Sequence, residues 1–223
     1  MSQRLIIDLL RHGACDDGKI YRGRTDSALS TVGWAQMDAA TRSDQLTWQA
    51  IYSSPLQRCR LPAQRLAERL GLPLQLDDRL REIDFGDWDG LLQLQVWQQH
   101  PSQVLAFWQD PETNPPPSAE SIHSLQQRVA EMLQCWLAGS ANDASERHLL
   151  CVCHGGVIRT LLCQLLGMPV VAGHQLSLDY GSFSRIELYR DRDADMPQQL
   201  GFHSQVIFIN RLPELDNYED SAR

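Results

Sequence analysis

The sequence has no apolar run approaching the roughly 20 residues that cross a bilayer, so a membrane-spanning helix is not expected. Nor has it an excess of positive charge. With 20 Lys+Arg against 28 Asp+Glu the net charge is −8, a balance that offers no field to attract nucleic acid or an anionic membrane surface. The six cysteines, at positions 15, 59, 135, 151, 153 and 163, lack the density and spacing of a disulfide framework and are expected to be free thiols. Cys151 and Cys153 stand two apart in an apolar run. On a strand they share one face, and no second pair is placed to complete a zinc site, so buried packing is the expected role. The apolar segment Leu5 to Leu10 is too short, and too abruptly followed by Arg11 and His12, to serve as a signal peptide. A cytoplasmic protein is expected. The chain contains no internal repeat or low-complexity segment.

Hydrophobic residues make up 43% and charged residues 22% of the 223 positions, ordinary globular usage. At about 150 residues per domain this length suits one domain carrying an insertion. The expected organisation is a single domain over residues 1–212, with a helical insertion at about 91–139, and a mobile acidic tail at 213–223. Short apolar runs alternate with segments of helical spacing, the pattern of an α/β protein with a mainly parallel sheet. Strands are expected at Leu5 to Leu10, Ala50 to Ser53, a short run ending near Leu76, and His148 to Cys153. Ser182 to Tyr189 and Gln205 to Arg211 read as an antiparallel pair at the sheet edge. Ser30 suits the N-cap of a first helix. Ser54-Pro55-Leu56-Gln57 combines an N-cap serine, proline at the first helical position and glutamine three after the cap, with Gly71 and Pro73 as the stop. Helices are also expected around Leu92 to His100, Gln103 to Asp110, Ser121 to Leu137 and Gly156 to Leu166.

Two of these strands end alike, in Leu10-Arg11-His12-Gly13 and in Cys153-His154-Gly155-Gly156. The carboxyl ends of parallel strands share one rim, where ligands bind, so both histidines should reach a single crevice. Arg58, in the first turn of the helix after the second strand, points to the same rim. Two guanidinium forks, two imidazoles and helix N-termini suit a phosphoryl group. An acid is also needed to protonate a departing alkoxide. Glu82 in Arg81-Glu82-Ile83-Asp84-Phe85-Gly86 is the first choice, with Asp84, Asp87 and Asp89 as competitors.

These motifs, together with Tyr21-Arg22-Gly23, SSPLQRCRLPA from Ser53 and VCHGGVIRTLL from Val152, resemble the histidine phosphatase superfamily, the phosphoglycerate-mutase-like fold. The texture is most similar to its α-ribazole phosphatase branch. The resemblance implies a three-layer α/β/α fold and a two-step transfer. In it His12 becomes a phosphohistidine, Glu82 acts as acid and then base, and Arg11, Arg58 and His154 hold the phosphoryl oxygens. The Gly23 backbone N–H is a further candidate contact. No metal and no cofactor are called for, and the partner is a small phosphate ester, with α-ribazole 5′-phosphate of cobalamin assembly as the candidate.

Other readings compete. A phosphoglycerate mutase would return the phosphoryl group instead of passing it to water; the short loop after Gly13 favours hydrolysis. A non-catalytic phosphate-binding scaffold would need neither His12 nor Glu82, and a metallohydrolase is disfavoured by the two guanidiniums. His100, His123, His148, His174 and His203 are read as ordinary structural histidines. Phe85, Trp88, Trp97 and Trp108 are read as core aromatics. Arg22 and Arg24 are either a second anion contact or a solvated loop. Substrate identity and oligomeric state are not legible.

Overall fold

The structure, a computed structural model, describes residues 3–43, 47–139, 146–190 and 202–213; all but the first residue of the expected acidic tail lies outside them. In chain order the elements are β1 (Gln3–Arg11), α1 (Thr31–Ala40), β2 (Ala50–Ser53), α2 (Gln57–Leu70), β3 (Leu74–Leu76), α3 (Gln93–Gln99), α4 (Pro101–Gln109), α5 (Ile122–Gly139), β4 (Arg147–Cys153), α6 (Gly155–Leu166), β5 (Phe183–Arg190) and β6 (His203–Arg211). The six strands form one sheet in the order β3-β2-β4-β1-β5-β6. β3, β2, β4 and β1 run parallel, and β5 and β6 continue the sheet antiparallel.

β1 is apolar on both faces because it lies inside the sheet with helices over each side. Leu5, Ile7 and Leu9 pack with Val129, Met132 and Trp136 of α5 and with Ile158 and Leu161 of α6. On the other face Leu10, Ile51 and Val152 meet Met37 of α1 and Ala63 and Leu66 of α2. A third cluster, Tyr21, Trp88, Val96, Val104 and Phe107, ties α3 and α4 to the loop after β1. No helix among the described residues is long and apolar enough to cross a membrane, and all six cysteines are free.

Ser30 caps α1 as expected, its hydroxyl accepting from the Gly33 N–H at 3.0 Å. The start of α2 differs from expectation. The helix begins at Gln57 with Leu56 at the cap position and no side-chain cap there. Ser54 stands outside the helix, its hydroxyl accepting from the Leu56 N–H at 3.3 Å and from His154 Nε2 at 2.8 Å. The Gln57 N–H donates instead to the Asp26 carboxylate at 2.7 Å, a cap supplied from a distant loop. At the other end Gly71 adopts φ 64° and terminates α2.

Asp8 carries a second buried polar feature, away from the strand ends. Its carboxylate accepts from Trp48 Nε1 at 2.8 Å, His148 Nε2 at 2.8 Å, and Arg185 Nε and Nη2 at 2.7 and 2.9 Å. Burial pushes its pKa up, but the bonds from His148, Arg185 and Trp48 outweigh burial and hold it at about 2, against an ordinary 3.8. A carboxyl so depressed stabilises the fold by about 2 kcal/mol above its unfolded pKa, and that contribution disappears as pH falls through its folded pKa. Urea unfolding from pH 7 down to pH 2 should show stability declining mainly below about pH 4. Asp8→Ala, which strands the donors of three residues, should cost about 3–5 kcal/mol at neutral pH.

Candidate active site

The sheet register brings the chemistry together. The His12 N–H donates to the Cys153 carbonyl at 3.0 Å and the Ser54 N–H to the Val152 carbonyl at 3.0 Å, so the ladder runs on past the ends of β1, β2 and β4. His12, Ser54 and His154 therefore stand side by side at one rim. The rings of His12 and His154 lie edge to face with centroids 5.1 Å apart, and both residues are buried.

The hydrogen bonds fix each tautomer. His12 Nδ1 lies 2.8 Å from the Gly13 carbonyl; a carbonyl only accepts, so Nδ1 carries the proton and Nε2 keeps its lone pair. His154 Nδ1 accepts from Arg58 Nε at 3.2 Å. Its Nε2–H accordingly donates to Ser54 Oγ at 2.8 Å. Burial first, then the charges of Arg58 and Arg11, hold the His12 pKa well below the usual imidazole range. Burial and Arg58 do the same for His154. Beneath them, burial pushes the Cys59 thiol well up, so it stays neutral 3.6 Å from His154 Nε2.

Arg58 is fully buried. Besides His154 it donates to the carbonyls of Thr25 at 2.7 Å, Gly23 at 2.8 Å and Arg22 at 3.4 Å, leaving one of its five N–H groups unassigned. Arg11 has more to spare. Its Nη1 donates to the Leu178 carbonyl, its guanidinium lies 4.1 Å from the ring centroid of Tyr180, and its buried Nε has no partner.

Glu82 reaches the same rim from the loop after β3. Oε2 accepts from the Gly156 N–H at 3.0 Å and Oε1 from its neighbour Ile83 at 3.0 Å, setting the carboxyl group against the first turn of α6. Arg128 of α5 holds the loop from below, donating to the Arg79 and Arg81 carbonyls at 2.6 Å each and forking onto Glu120. Asp87 is exposed, and the other two competing acids are occupied elsewhere. Asp89 accepts from the N–H groups of Arg24 and Thr25, and Asp84 accepts from Gly86 at 2.8 Å.

The loop after β1 is arranged differently from one of its two readings. Arg22 is tied to Asp17, Ser27 and the Gly18 carbonyl, a paired charge and not an open anion contact. Arg24 is exposed, 3.5 Å from Asp84. Gly23 presents its carbonyl to Arg58 and has no room for a side chain, since a Cβ there would overlap the Ile83 carbonyl and the Asp89 carboxylate. Gly13 is equally confined: its Cβ would run into the backbone of Gly33 in α1, and a Cβ on Gly33 into Ala14.

Tyr180 escaped the sequence reading, while Phe85 and Trp108, read there as core aromatics, border the site. Tyr180 packs 5.5 Å from His12, ring to ring. Its position follows from the Leu10–Phe183 pairing of β1 with β5, so assigning β5 beside β1 would have placed it. Phe85 and Trp108 line a cavity of about 280 Å³ next to Glu82, where His174 also stands. Trp88 is buried in the core as expected, whereas Trp97 is largely exposed.

An α/β sheet whose parallel strand ends gather two neutral imidazoles, two guanidiniums and a carboxylate defines a phosphoryl-handling protein. The family model for the histidine phosphatase superfamily (branch 1) matches residues 7–194, and the chain belongs to that superfamily. It is an α/β phosphatase of this fold. It is 36% identical over 180 residues to the glucosyl-3-phosphoglycerate phosphatase of Mycobacterium tuberculosis, covering 76% of this chain and 78% of that one. Identity to phosphoserine phosphatase 1 of Hydrogenobacter thermophilus is 28% over 210 residues, covering 90% and 95%. The crystal structure of the α-ribazole phosphatase of Shigella flexneri superposes with a TM-score of 0.75 at 22% identity, over 92% and 96% of the two chains, a likeness of fold.

Two outcomes follow from this geometry. Neutral His12 should keep the acid limb of the pH–rate profile below the ordinary imidazole value of about 6.5. Gly156 has no positive φ, but a Cβ there would overlap Glu82 Oε1. Gly156→Ala should displace the carboxylate and lower kcat on an alkyl phosphate by about tenfold or more, with little change in melting temperature.

Proposed function

We propose that the chain is a metal-independent phosphomonoesterase that hydrolyses a small phosphorylated metabolite through a phosphohistidine at His12. The observation that carries this reading is the His12 Nδ1 bond to the Gly13 carbonyl, which leaves Nε2 unprotonated in a buried, cation-rich pocket. In the first step the Nε2 lone pair forms the N–P bond as the P–O bond to the alcohol breaks, and protonated Glu82 gives its proton to the departing oxygen. In the second, Glu82 takes a proton from water, the water oxygen bonds to phosphorus, and the N–P bond breaks to release inorganic phosphate. The free donors of Arg11, the remaining N–H of Arg58 and the His154 Nε2–H hold the equatorial oxygens, a phosphoryl oxygen replacing Ser54 Oγ as acceptor. Arg11 and Arg58 beside the histidines disfavour a divalent cation, which supports chemistry without metal.

For the substrate, two observations point to different metabolites. The aromatic lining contributed by Phe85, Phe107 and Trp108 suits α-ribazole 5′-phosphate. The sequence relatives are named for a phosphorylated glyceric acid derivative and for phosphoserine, which favours a smaller acid. A screen of phosphorylated metabolites that includes all three decides between them. Phosphate release without isomerisation of 3-phosphoglycerate separates this reading from a mutase.

His12→Ala should lower phosphate release by more than about 10³-fold, and a denaturing quench at alkaline pH, where an N–P bond survives, should trap label on His12 of the unmodified enzyme. Glu82→Gln should cost about 10²–10⁴-fold on an alkyl ester and much less on p-nitrophenyl phosphate, whose leaving group needs no proton. Activity that survives excess EDTA completes the test; activity restored only by a divalent ion would overturn the metal-independent mechanism.

A further inference from the structure

If Glu82 protonates the leaving oxygen, the alcohol must lie on the Glu82 side of the phosphoryl group, away from His12. The cavity of about 280 Å³ lies there, lined by Glu82 and Gly156 together with Phe107, Trp108, Arg159 and His174. Trp108 and His174 meet edge to face at 4.6 Å and join α4 to the turn after α6.

Arg159 is the notable member of this lining. Its Nε donates to the Leu176 carbonyl at 3.2 Å, and Gly173 packs against its stem, so the guanidinium is anchored on one side. No carboxylate among the described residues pairs with it. Glu82 acts on it only through space, while burial and then the neighbouring Arg11 lower its pKa. A point 3.0 Å from Arg159 Nη1 and 3.4 Å from Arg11 Nε marks where a Cβ on Gly155 would stand. Two guanidiniums thus flank Gly155, one facing the phosphoryl site and the other the leaving-group cavity, without a protein anion to offset both. A phosphate ester alone provides for Arg11; Arg159 calls for a second anion on the same substrate, close to the ester.

We infer that Arg159 is a specificity-determining residue that binds a carboxylate carried by the leaving alcohol, and that the natural substrate is the phosphate ester of a small hydroxy acid. This rests on the phosphatase reading given above. The short separation of the two guanidiniums places the carboxylate within a few bonds of the ester oxygen. Trp108 and His174 close the outer end over the remainder of the alcohol.

The test is a comparison of 3-phosphoglycerate with glycerol 3-phosphate, which has CH₂OH in place of the carboxylate, by phosphate release from the full chain. A charge-assisted pair predicts kcat/KM at least about tenfold higher for the acid. Arg159→Gln should collapse that ratio, chiefly through KM for the acid, and Arg159→Lys should restore part of it. A general structural role would lower both substrates together and leave the ratio standing, which would overturn the inference. Should Arg159→Gln fail to fold, the preference of the unmodified enzyme and the Lys variant still decide. With p-nitrophenyl phosphate as control, hydrolysis of that ester alongside equal or absent turnover of the two glyceryl esters overturns the inference alone. Failure on all three esters removes the phosphatase reading and the inference with it.

Discussion

The site is built around a guanidinium buried without a carboxylate partner. Taking a cation out of water costs several kcal/mol unless its donors are satisfied, and Arg58 is fully buried. The chain meets that cost with the carbonyls of Arg22, Gly23 and Thr25 and with His154 Nδ1. Each partner comes from a different place: the loop after β1 supplies the carbonyls, α2 the cation, and the end of β4 the imidazole. That loop is pinned from outside by Asp89 through its bonds to Arg24 and Thr25. Three distant segments are thereby locked to one another, and the net positive charge left among them is what a phosphoryl dianion neutralises on the reading proposed here.

Much of this was legible before any coordinates. β2 appears with the expected bounds, and β1, β4 and α6 within one or two residues, because continuous apolar runs ending in Arg-His-Gly or His-Gly-Gly leave little choice of element type. Parallel strands then force His12, His154 and Arg58 together. The choice of Glu82 over its acidic neighbours was less determined by local pattern. It is separated from them by the Gly156 N–H, a contact across 74 residues that no local spacing encodes.

The misreadings share a cause. Ser54 has the credentials of an N-cap, yet its hydroxyl is shared between Leu56 and His154 and the helix starts later, with Asp26 serving the orphan amide. Trp108 has the spacing of a core residue, and only the placement of α4 against the turn after α6 gives it a cavity to line, whereas Phe85 packs against the core as expected and borders the same cavity. In each case a tertiary contact outcompetes a sound local preference. The Asp8 cluster is the converse: three hydrogen-bonding residues from separate elements satisfy one buried carboxylate at a distance from the chemistry, so stability and the site are anchored in different places along the same strand.

The crossing of Gly13 and Gly33 has a bearing on how such a chain can change over generations. Neither position has space for even a methyl group, because each one's missing side chain is filled by the other segment's backbone. A change at either cannot be repaired by shrinking the facing residue, Gly33 or Ala14, because the atoms in the way belong to its backbone. The only escape is to move the whole first turn of α1 away from the loop after β1. Any lineage that lengthens or reshapes that loop must therefore re-seat the helix in the same step, which leaves this corner of the molecule few single-mutation paths.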